Sequence, residues 1–461
     1  MRRTAQPDFP ANADINLQAE ITGNDMSVSK RPSSPKGTSR RRFLQSAALA
    51  PLTLSMLSPN PVVASPGPRA RSVVLVWLWG GPSQLDTFDP KPLANENVRG
   101  PFHAIRTRTT GAQFSELLPR LADRSNLFAV NRGTVLQNDH NLVPLTGKTN
   151  PADAARAPHF GSIVAKHRRS ATLPPFMLIM PAGPNLASLG FSRNVAGPLG
   201  AAYDPVLVNC AANGRVELGG IRPLDANETR RLEMRRQLRT QLESARHAPL
   251  TSVGGFDSHW DRAYSILASP NAFQPFQLEQ ERDRERDAYG HTSFGQSLLL
   301  TRRLVEAGVP FVWTSFNHGA DGLMEGNGMG WDTHYNNFEF MTNWLCPVLD
   351  RGLSAFLEDL NQRGLLESTL VVVMGEMGRT PGINAMGGRD HWGSGSTLWA
   401  GAGVQGGRIV GETDRQAGSA ITTPITSLMM GTTMAELAGV NAEARAEMGV
   451  LHGGSVIHDL F

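Results

Sequence analysis

The sequence predicts an α/β fold in which a central, largely parallel sheet lies between layers of helices. Continuous apolar runs are typical of strands that are buried on both faces of a sheet. Helical patterns separate these runs, and such alternation favours parallel strand pairing. Polar residues follow several of the runs, where a parallel sheet places its ligands. The predicted strands are 73–79, 175–180, 309–314, 369–374 and 397–402.

The first strand is the run VVLVWLW at 73–79, which is rich in β-branched and aromatic residues. A continuous run of this kind is typical of a central strand covered on both faces. Gly80, Gly81 and Pro82 follow directly, and they end the strand.

Two helices are predicted between the later strands. Residues 292–308 carry apolar side chains at helical spacing and stop at Gly308. Residues 339–364 form a longer helical pattern, which we expect to kink near Pro347 and to end at Gly364. That glycine leads into the strand at 369–374.

Residues 222–292 differ from the rest because they are densely charged, with sparse leucine and methionine. We expect a charged helical excursion on the rim of the sheet, with Asn227 as a helix cap. Glutamates are interspersed among the arginines. The pattern therefore favours a solvated helix face over a nucleic-acid-binding surface.

The N-terminal region, residues 1–64, is typical of an export signal with an N-terminal extension. SRRRFLQ at 39–45 resembles a twin-arginine motif, and an uncharged apolar stretch follows at 44–57. Ala64 ends a small-residue pattern typical of a cleavage site. We expect the twin-arginine machinery to export the chain to the periplasm or beyond. Met1 and Met26 both remain candidate start residues.

The charge of the chain argues against nucleic acid as a partner. The formal net charge is +3, but eight of the 44 Lys/Arg and only four of the 41 Asp/Glu lie in residues 1–64. The remainder carries 36 basic and 37 acidic residues and is therefore nearly neutral. No basic stripe is left to follow a phosphate backbone.

Three polar clusters follow the predicted strands, and together they indicate a shared site. Carboxylates and imidazoles bind Zn or Mn, and carboxylates alone suit Mg or Ca. Cys210 and Cys346 lie outside the clusters, which excludes a thiolate site. The clusters contain Ser83, Asp86, Thr87 and Asp89, then Asp332 and His334, and finally Glu376, Asp390 and His391.

With these motifs assembled, the chain resembles a family of exported bacterial proteins that carries a domain-of-unknown-function label and often the loose name sulfatase. The resemblance extends over nearly all of 72–445, with the motifs in the same order. The family is itself similar to the alkaline phosphatase–sulfatase superfamily. The resemblance implies an alkaline phosphatase-like three-layer sandwich over 72–461, with metal ions at one sheet edge. The motifs include GGPSQLDTFDPKP, LTGK, GWDTHYNNF, LVVVMGEMGRTPGIN, GGRDHW and GGRIVGETD.

The resemblance also implies roles for single residues. Asp332 and His334 match the metal-binding Asp…His pair, and His391 matches the last histidine ligand. Glu376 stands where the superfamily has an aspartate at the end of a later strand. Residues 142–148 match the segment that ends the nucleophile motif of sulfatases.

The chain departs from that pattern at three places. Gly80 and Gly81 replace the aspartate after the first strand, and Asp86 is the nearest substitute. Met377 stands where a His or Asn ligand is expected. No CxPxR or SxPxR precedes LTGK, so no formylglycine can form, and LQNDHNLVP stands there instead. His140 in this segment becomes a candidate for the site. Ser83 and Thr87 are weak candidate nucleophiles, and Thr146 is a further hydroxyl group to consider.

The leading hypothesis is an exported, metal-dependent hydrolase of phosphate or sulfate esters, on small molecules or polysaccharide. The metal would be Zn, Mn, Ca or Mg, and it would activate water. Arg379 would bind the anionic oxygens, and His140 or Asp390 would assist proton transfer. The alternative is a non-catalytic binding or envelope assembly protein that retains the fold. The proposed ligands are Asp86, Asp332, His334, Glu376 and His391.

Overall fold

The structure is a computed structural model that describes residues 69–168, 170, 173–181, 194–218, 224–244, 270–317 and 330–461. The predicted export signal at 1–64, both candidate start residues and residues 245–269 of the charged excursion lie outside the described residues. Among the residues that are described, no helix has the length and apolarity needed to cross a membrane.

The central sheet contains ten strands within the described part of the chain, in the order β13-β4-β12-β9-β1-β8-β5-β6-β7, with β14 beside β4. In chain order they are β1 (Ser72–Leu78), β4 (Phe128–Val135), β5 (Phe176–Pro181), β6 (Val206–Cys210), β7 (Val216–Glu217), β8 (Phe311–Phe316), β9 (Thr369–Met374), β12 (Ser394–Ala400), β13 (Arg408–Val410) and β14 (Ile425–Thr426). Two short pairs lie apart from it, β2 (Ala104–Arg106) with β3 (Gln113–Ser115), and β10 (Gly378–Arg379) with β11 (His391–Trp392).

The sheet is largely parallel. β1 pairs in parallel with both β8 and β9, and β5 pairs in parallel with β6 and β8. β12 is antiparallel to its neighbours β4 and β9, and β7 is antiparallel to β6. Because β12 reverses direction between them, β4 and β9 run the same way. Their carboxyl ends therefore lie at the same edge of the sheet as that of β1.

Helices cover both faces of the sheet. Alternate residues of β1 point to opposite faces, so Val74 and Val76 belong to one apolar cluster and Val73 and Leu75 to another. The described helices are α1 (Glu96–Arg99), α2 (Pro119–Asp123), α3 (Pro151–Ala154), α4 (Phe160–His167), α5 (Ala226–Ser244), α6 (Asp283–Tyr289), α7 (Ser293–Glu306), α8 (Asn337–Phe340), α9 (Cys346–Gln362), α10 (Ser427–Leu437) and α11 (Ala442–Glu447). The first cluster includes side chains of α7 and α9, and the second includes side chains of α4 and α10. The predicted alkaline phosphatase-like arrangement, a sheet between two helical layers, is confirmed.

The kink expected near Pro347 takes the form of a π-helical turn. The turn spans Met341–Leu345 and joins α8 to α9. Pro347 lies in the first turn of α9, where its missing N–H group costs little. The helix ends before Gly364, which has a positive φ of 67°. The glycine stop is as predicted, and the interruption of regular α-helix near Pro347 is the π-helical turn just before it.

The prediction of Asn227 as a cap is wrong by two residues. Asp225 accepts hydrogen bonds from the backbone N–H groups of Asn227 and Glu228, each at 2.8 Å. The Glu228 side chain accepts from the backbone N–H of Asp225 at 3.0 Å. This reciprocal pair is a capping box, in which the side chains of an acidic cap and of a glutamate three residues later each accept a hydrogen bond from the other's backbone N–H group.

Candidate metal centre

The site lies at the carboxyl edge of the sheet, where the loops after β1, β4 and β9 meet. Gly80 follows β1, His140 follows β4, and Glu376 follows β9. The backbone N–H of Trp331 donates to the carbonyl of Trp79 at 2.8 Å, which attaches a fourth segment to the same edge. The strand-end argument from the sequence predicts a site at this edge, and the candidate cluster lies there.

Glycine after β1 makes this convergence possible. Gly81 has a φ of +80°, and a Cβ atom there would collide with the side chain and backbone of Met377. The loop after β1 therefore packs directly on the loop after β9. Gly80 uses its backbone to bind Glu376 and Arg379, in the place where the resemblance implied an aspartate.

The segment that carries Asp332 and His334 is docked by its backbone onto the loop that carries Asp390 and His391. The N–H of Arg389 donates to the carbonyl of Thr333 at 3.1 Å. Gly388 lies so close to the His334 backbone that there is no room for a Cβ atom. Residues that are more than fifty positions apart in sequence are thereby brought into one cluster.

The centre of the cluster consists of His140, Asp332 and His391. One potential ligand atom from each lies within 4.8 Å of the others. Oδ2 of Asp332 is 3.2 Å from Nε2 of His140, and Oδ1 is 3.5 Å from Nε2 of His391. The two imidazole rings meet edge to face, with their centroids 4.5 Å apart.

Asp332 is held in its charged form. Burial raises the pKa of its carboxyl, but the neighbouring His140 and Arg379 outweigh this and lower the pKa well below its usual range. Arg379 donates from Nη2 to Oδ1 at 2.6 Å. Asp332 therefore offers an anionic oxygen on the side that faces the histidines.

Glu376 orients His140 from the opposite side of the ring. Its Oε1 lies 3.0 Å from Nδ1 of His140 and also accepts from the backbone N–H of Gly80 at 2.8 Å. Burial lowers the pKa of His140, but the carboxylates of Asp332 and Glu376 outweigh it and raise the pKa to about 9. With Nδ1 directed at Glu376, Nε2 is left to face the cluster. A carboxylate that fixes the far nitrogen is a common outer partner of a metal-bound histidine.

These residues fit a divalent metal ion. Within the described part of the chain, Nε2 of His140 and Nε2 of His391 are buried and make no hydrogen bond. Burial and the nearby Arg379 lower the pKa of His391, which favours the neutral form that binds metal. Two imidazoles with one carboxylate suit Zn or Mn better than Ca or Mg.

His334 lies beside this group and is more exposed. Its Nε2 is 3.1 Å from Oδ1 of Asp332, and its Nδ1 is 2.7 Å from Oδ1 of Asp390. The hydrogen bond with His334 lowers the pKa of Asp390. Asp390 also accepts from Asn384 at 3.0 Å. Asp390 therefore orients His334, much as Glu376 orients His140.

Arg379 cannot serve as the anion-binding residue that the sequence indicated. It is fully buried, and its guanidinium donates to the carbonyls of Gly80, Gly81 and Arg389 as well as to Asp332. Burial lowers the pKa of Arg379. Its role is to hold Asp332 and the glycine loop in place, with no face directed at a substrate.

Asp86 and Thr87 are not brought to the cluster. Asp86 is fully buried and accepts from Arg389 at 2.8 Å and 3.2 Å, in fork geometry. It also accepts from Ser83 at 2.6 Å and from Asn337 at 3.0 Å, so its oxygens are saturated. Thr87 donates to the carbonyl of Ser83 at 2.6 Å, inside the same turn. These residues stabilise the loop after β1.

None of the hydroxyl groups considered from the sequence is directed at the cluster as a nucleophile would be. The hydroxyl groups considered from the sequence each bond within their own loop. That of Thr146 donates to the carbonyl of Val143 at 2.7 Å, and those of Ser83 and Thr87 have the partners given above.

Two residues and one strand were missed or misassigned from sequence. His140 was assigned to proton transfer, although it follows a strand in the same way as the predicted ligands do. Strand β4 was itself missed, because polar residues and Gly133 interrupt its apolar run. Arg389 was not considered, although it is a fully buried charge adjacent to the predicted Asp390.

The fold and site define an α/β protein with a candidate metal centre at the carboxyl edge of its sheet. The chain belongs to the DUF1501 family, described as a protein of unknown function, whose family model matches residues 70–460. This confirms the resemblance to a domain-of-unknown-function family. No curated protein matches the sequence.

Solved structures with similar folds share little sequence with the chain. A sulfatase from Pseudoalteromonas sp. is 13% identical, with 81% of this chain and 69% of that chain covered and a TM-score of 0.36. A lipoteichoic acid synthase from Listeria monocytogenes is 10% identical, with 85% and 75% covered and a TM-score of 0.36. The phosphonate monoester hydrolase of Agrobacterium radiobacter is 12% identical, with 84% and 77% covered and a TM-score of 0.31.

Proposed function

We propose that this protein is an exported, metal-dependent hydrolase of phosphate or sulfate esters. The observation that carries the proposal is the pair of buried Nε2 atoms on His140 and His391, both directed at Asp332 and neither hydrogen-bonded in the described residues. Buried polar atoms without partners are rare in folded proteins, and an ion between these three residues would satisfy them.

Asp332, His140 and His391 would hold the ion, and Glu376 would orient His140. The bound ion would supply a water with a pKa lowered towards neutrality. His334 stands at the exposed side of the cluster, where Nε2 can give a proton to the leaving oxygen of an ester. Because Asp390 accepts from Nδ1 of His334, Nε2 carries a proton only in the doubly protonated ring, and the Asp390 carboxylate would stabilise that cation.

Export is part of the proposal and depends on the sequence alone. The twin-arginine pattern at 39–45, the apolar stretch at 44–57 and the small residues before Ser65 support it. The twin-arginine route transports folded proteins, which suits a chain that binds its metal before export. The substrate would then be an ester outside the cytoplasm, on a small molecule or a polysaccharide.

The competing function is binding without turnover. The engagement of the Ser83, Thr87 and Thr146 hydroxyl groups within their own loops favours it. Such a protein would retain the ion as a structural element of the strand-end loops and would act through a partner in the envelope. Metal content alone does not separate the two functions, so a second measurement of ester hydrolysis is needed.

The test is to purify the chain from Ser65 and to measure bound metals by elemental mass spectrometry. We expect near-stoichiometric Zn or Mn, lost in His140→Ala and His391→Ala and retained in the exposed control His452→Ala. Absence of metal after reconstitution would refute the metal site. The metal-loaded protein is then assayed with phosphate and sulfate esters; bound metal without turnover of any ester would favour the binding function.

A further inference from the structure

A cavity lies beside the metal cluster, and His140 belongs to both. It has a volume of about 410 Å³ and lies between the loop after β4, helix α3 and the start of α4. Its size is within the range of small-molecule sites. Because His140 faces both the cluster and the cavity, the leaving group of an ester held at the cluster can extend into the cavity.

More than half of the described lining residues of the cavity are apolar, and Asn141, Thr146 and Asn194 add neutral polar side chains. Apart from His140 and His159, none of the lining residues in the described part of the chain is titratable. A sulfated or phosphorylated sugar carries further charges, and burying a charge without a partner is strongly unfavourable. The apolar walls are Trp79, Leu142, Val143, Pro151, Ala154 and Val195.

His159 is a polar group in this apolar wall. It is buried, and its Nδ1 makes no hydrogen bond in the described part of the chain. Burial lowers the pKa of His159 to about 4, so the ring is neutral near pH 7. In a neutral imidazole the unpartnered Nδ1 either donates or accepts one hydrogen bond, depending on the tautomer, which suits an uncharged hydroxyl or carbonyl group.

We infer that this cavity binds an uncharged, aromatic or aliphatic leaving group of the ester, with His159 as its polar anchor. The inference rests on the proposed hydrolase function, because the cluster must hold the sulfate or phosphate end. It narrows the substrate class to esters of apolar alcohols or phenols. Esters on highly charged polysaccharide are correspondingly disfavoured.

The kinetic test compares esters that differ only in their leaving group. We expect 2-naphthyl phosphate or sulfate to have a kcat/KM at least tenfold above that of the methyl ester and of the glucose 6-ester. Ala154→Phe fills the cavity and should remove this preference by raising KM for the naphthyl ester. Ala446→Phe, at an exposed position of α11, should leave the preference unchanged. A preference for the glucose ester would overturn the inference.

A binding measurement separates failure of this inference from failure of the proposed function. We expect 2-naphthol to bind by calorimetry to the wild type and equally to His391→Ala, but at least tenfold more weakly to Ala154→Phe. Ala155→Phe, at a more exposed lining position, provides a second blocked variant should the first not fold. Binding that is lost in the blocked variants supports the cavity assignment even if no ester is hydrolysed. Equal binding by wild-type and blocked proteins, or none by any, overturns it.

Discussion

His140 and Glu376 are joined by a 3.0 Å contact between Nδ1 and Oε1, although 236 positions separate them in the sequence. The same carboxylate oxygen accepts from the backbone of Gly80 at 2.8 Å. One atom thus links the loops after three different strands. Because the sheet sets the spacing of those strands, the orientation of His140 depends on the whole fold.

The first prediction concerns this carboxylate. Glu376→Gln should lower the metal affinity by about 10- to 100-fold, the usual effect of losing an outer partner of a histidine ligand. The physical reason is that an amide holds the His140 ring and its tautomer less firmly than a carboxylate. Competition with a chromophoric chelator measures the affinity directly.

The control for this prediction is Glu367→Gln, at an exposed position before β9. It should leave the affinity unchanged. A complete loss of binding in Glu376→Gln, equal to that in Asp332→Asn, would instead mean that Glu376 coordinates the ion itself.

The second prediction concerns Arg379 as a buried structural charge. Arg379→Met leaves Asp332 and the glycine carbonyls without their donor and should lower the free energy of unfolding by about 3–5 kcal/mol. Urea unfolding of the metal-free protein measures the loss. The exposed Arg415→Met should change stability by less than about 0.5 kcal/mol. Unchanged stability together with a higher KM for esters would show that Arg379 binds the substrate.

The third prediction concerns the pair of Asp86 and Arg389, in which both side chains are fully buried. Asp86→Ala should lower the free energy of unfolding by about 3–5 kcal/mol because it leaves the buried guanidinium of Arg389 without its carboxylate partner. The metal content per folded molecule should not change. The double variant with Arg389→Met should be less destabilised than the two single losses added together, because the residues share one interaction.

This pair also provides a test of the original ligand assignment. Loss of metal in Asp86→Ala with stability unchanged would restore Asp86 as a ligand. Additive effects in the double variant would show that the two side chains do not depend on each other.

The fourth prediction concerns pH and His159. The pKa of its ring is about 4 in the folded protein and 6.5 in the unfolded chain, so the unfolded chain binds more protons between these values. The contribution of His159 to the free energy of unfolding is therefore constant above pH 6.5. It becomes destabilising as the pH falls towards 4. At pH 4 the loss amounts to about 3 kcal/mol.

His159→Leu should remove this part of the acid sensitivity. The measurement is the free energy of unfolding of wild type and variant, both with chelator, at pH 7.5 and pH 4.5. His452→Leu, at an exposed position, is the matched control. Equal pH dependence in wild type and His159→Leu would show that His159 is not buried in its neutral form.

The strands that were found from sequence share one property, which is burial on both faces. β9 was predicted at its observed bounds because nothing polar interrupts its run, and every residue of it is buried. β4 was missed although it pairs with both β12 and β13, because Asn131 and Arg132 interrupt the run. Arg132 is accommodated there by donating to the carbonyl of Phe88. Such compensation depends on a partner that local sequence does not show.

The roles of the site residues, like the strands, were predicted from the sequence only in part. Asp332 and His391 were assigned as ligands from the sequence, and the structure brings them together with His140. Glu376 and Asp86 were also assigned as ligands, yet Glu376 faces the outer side of His140 and Asp86 pairs with Arg389. Asp332, Glu376 and Asp86 are all acidic residues in loops after strands, and what separates them is the direction in which each carboxylate points.

The sequence by itself determined that the chain forms a parallel α/β sheet and that polar loops collect at its carboxyl edge. Both depend on local patterns, namely apolar runs that end in glycine and acidic or histidine residues that follow them. Only the tertiary structure decided which carboxylates face an ion and which face an arginine or a histidine. The physical reason is that hydrogen-bond geometry is set by backbone contacts such as that of Gly388 with His334, between segments distant in sequence.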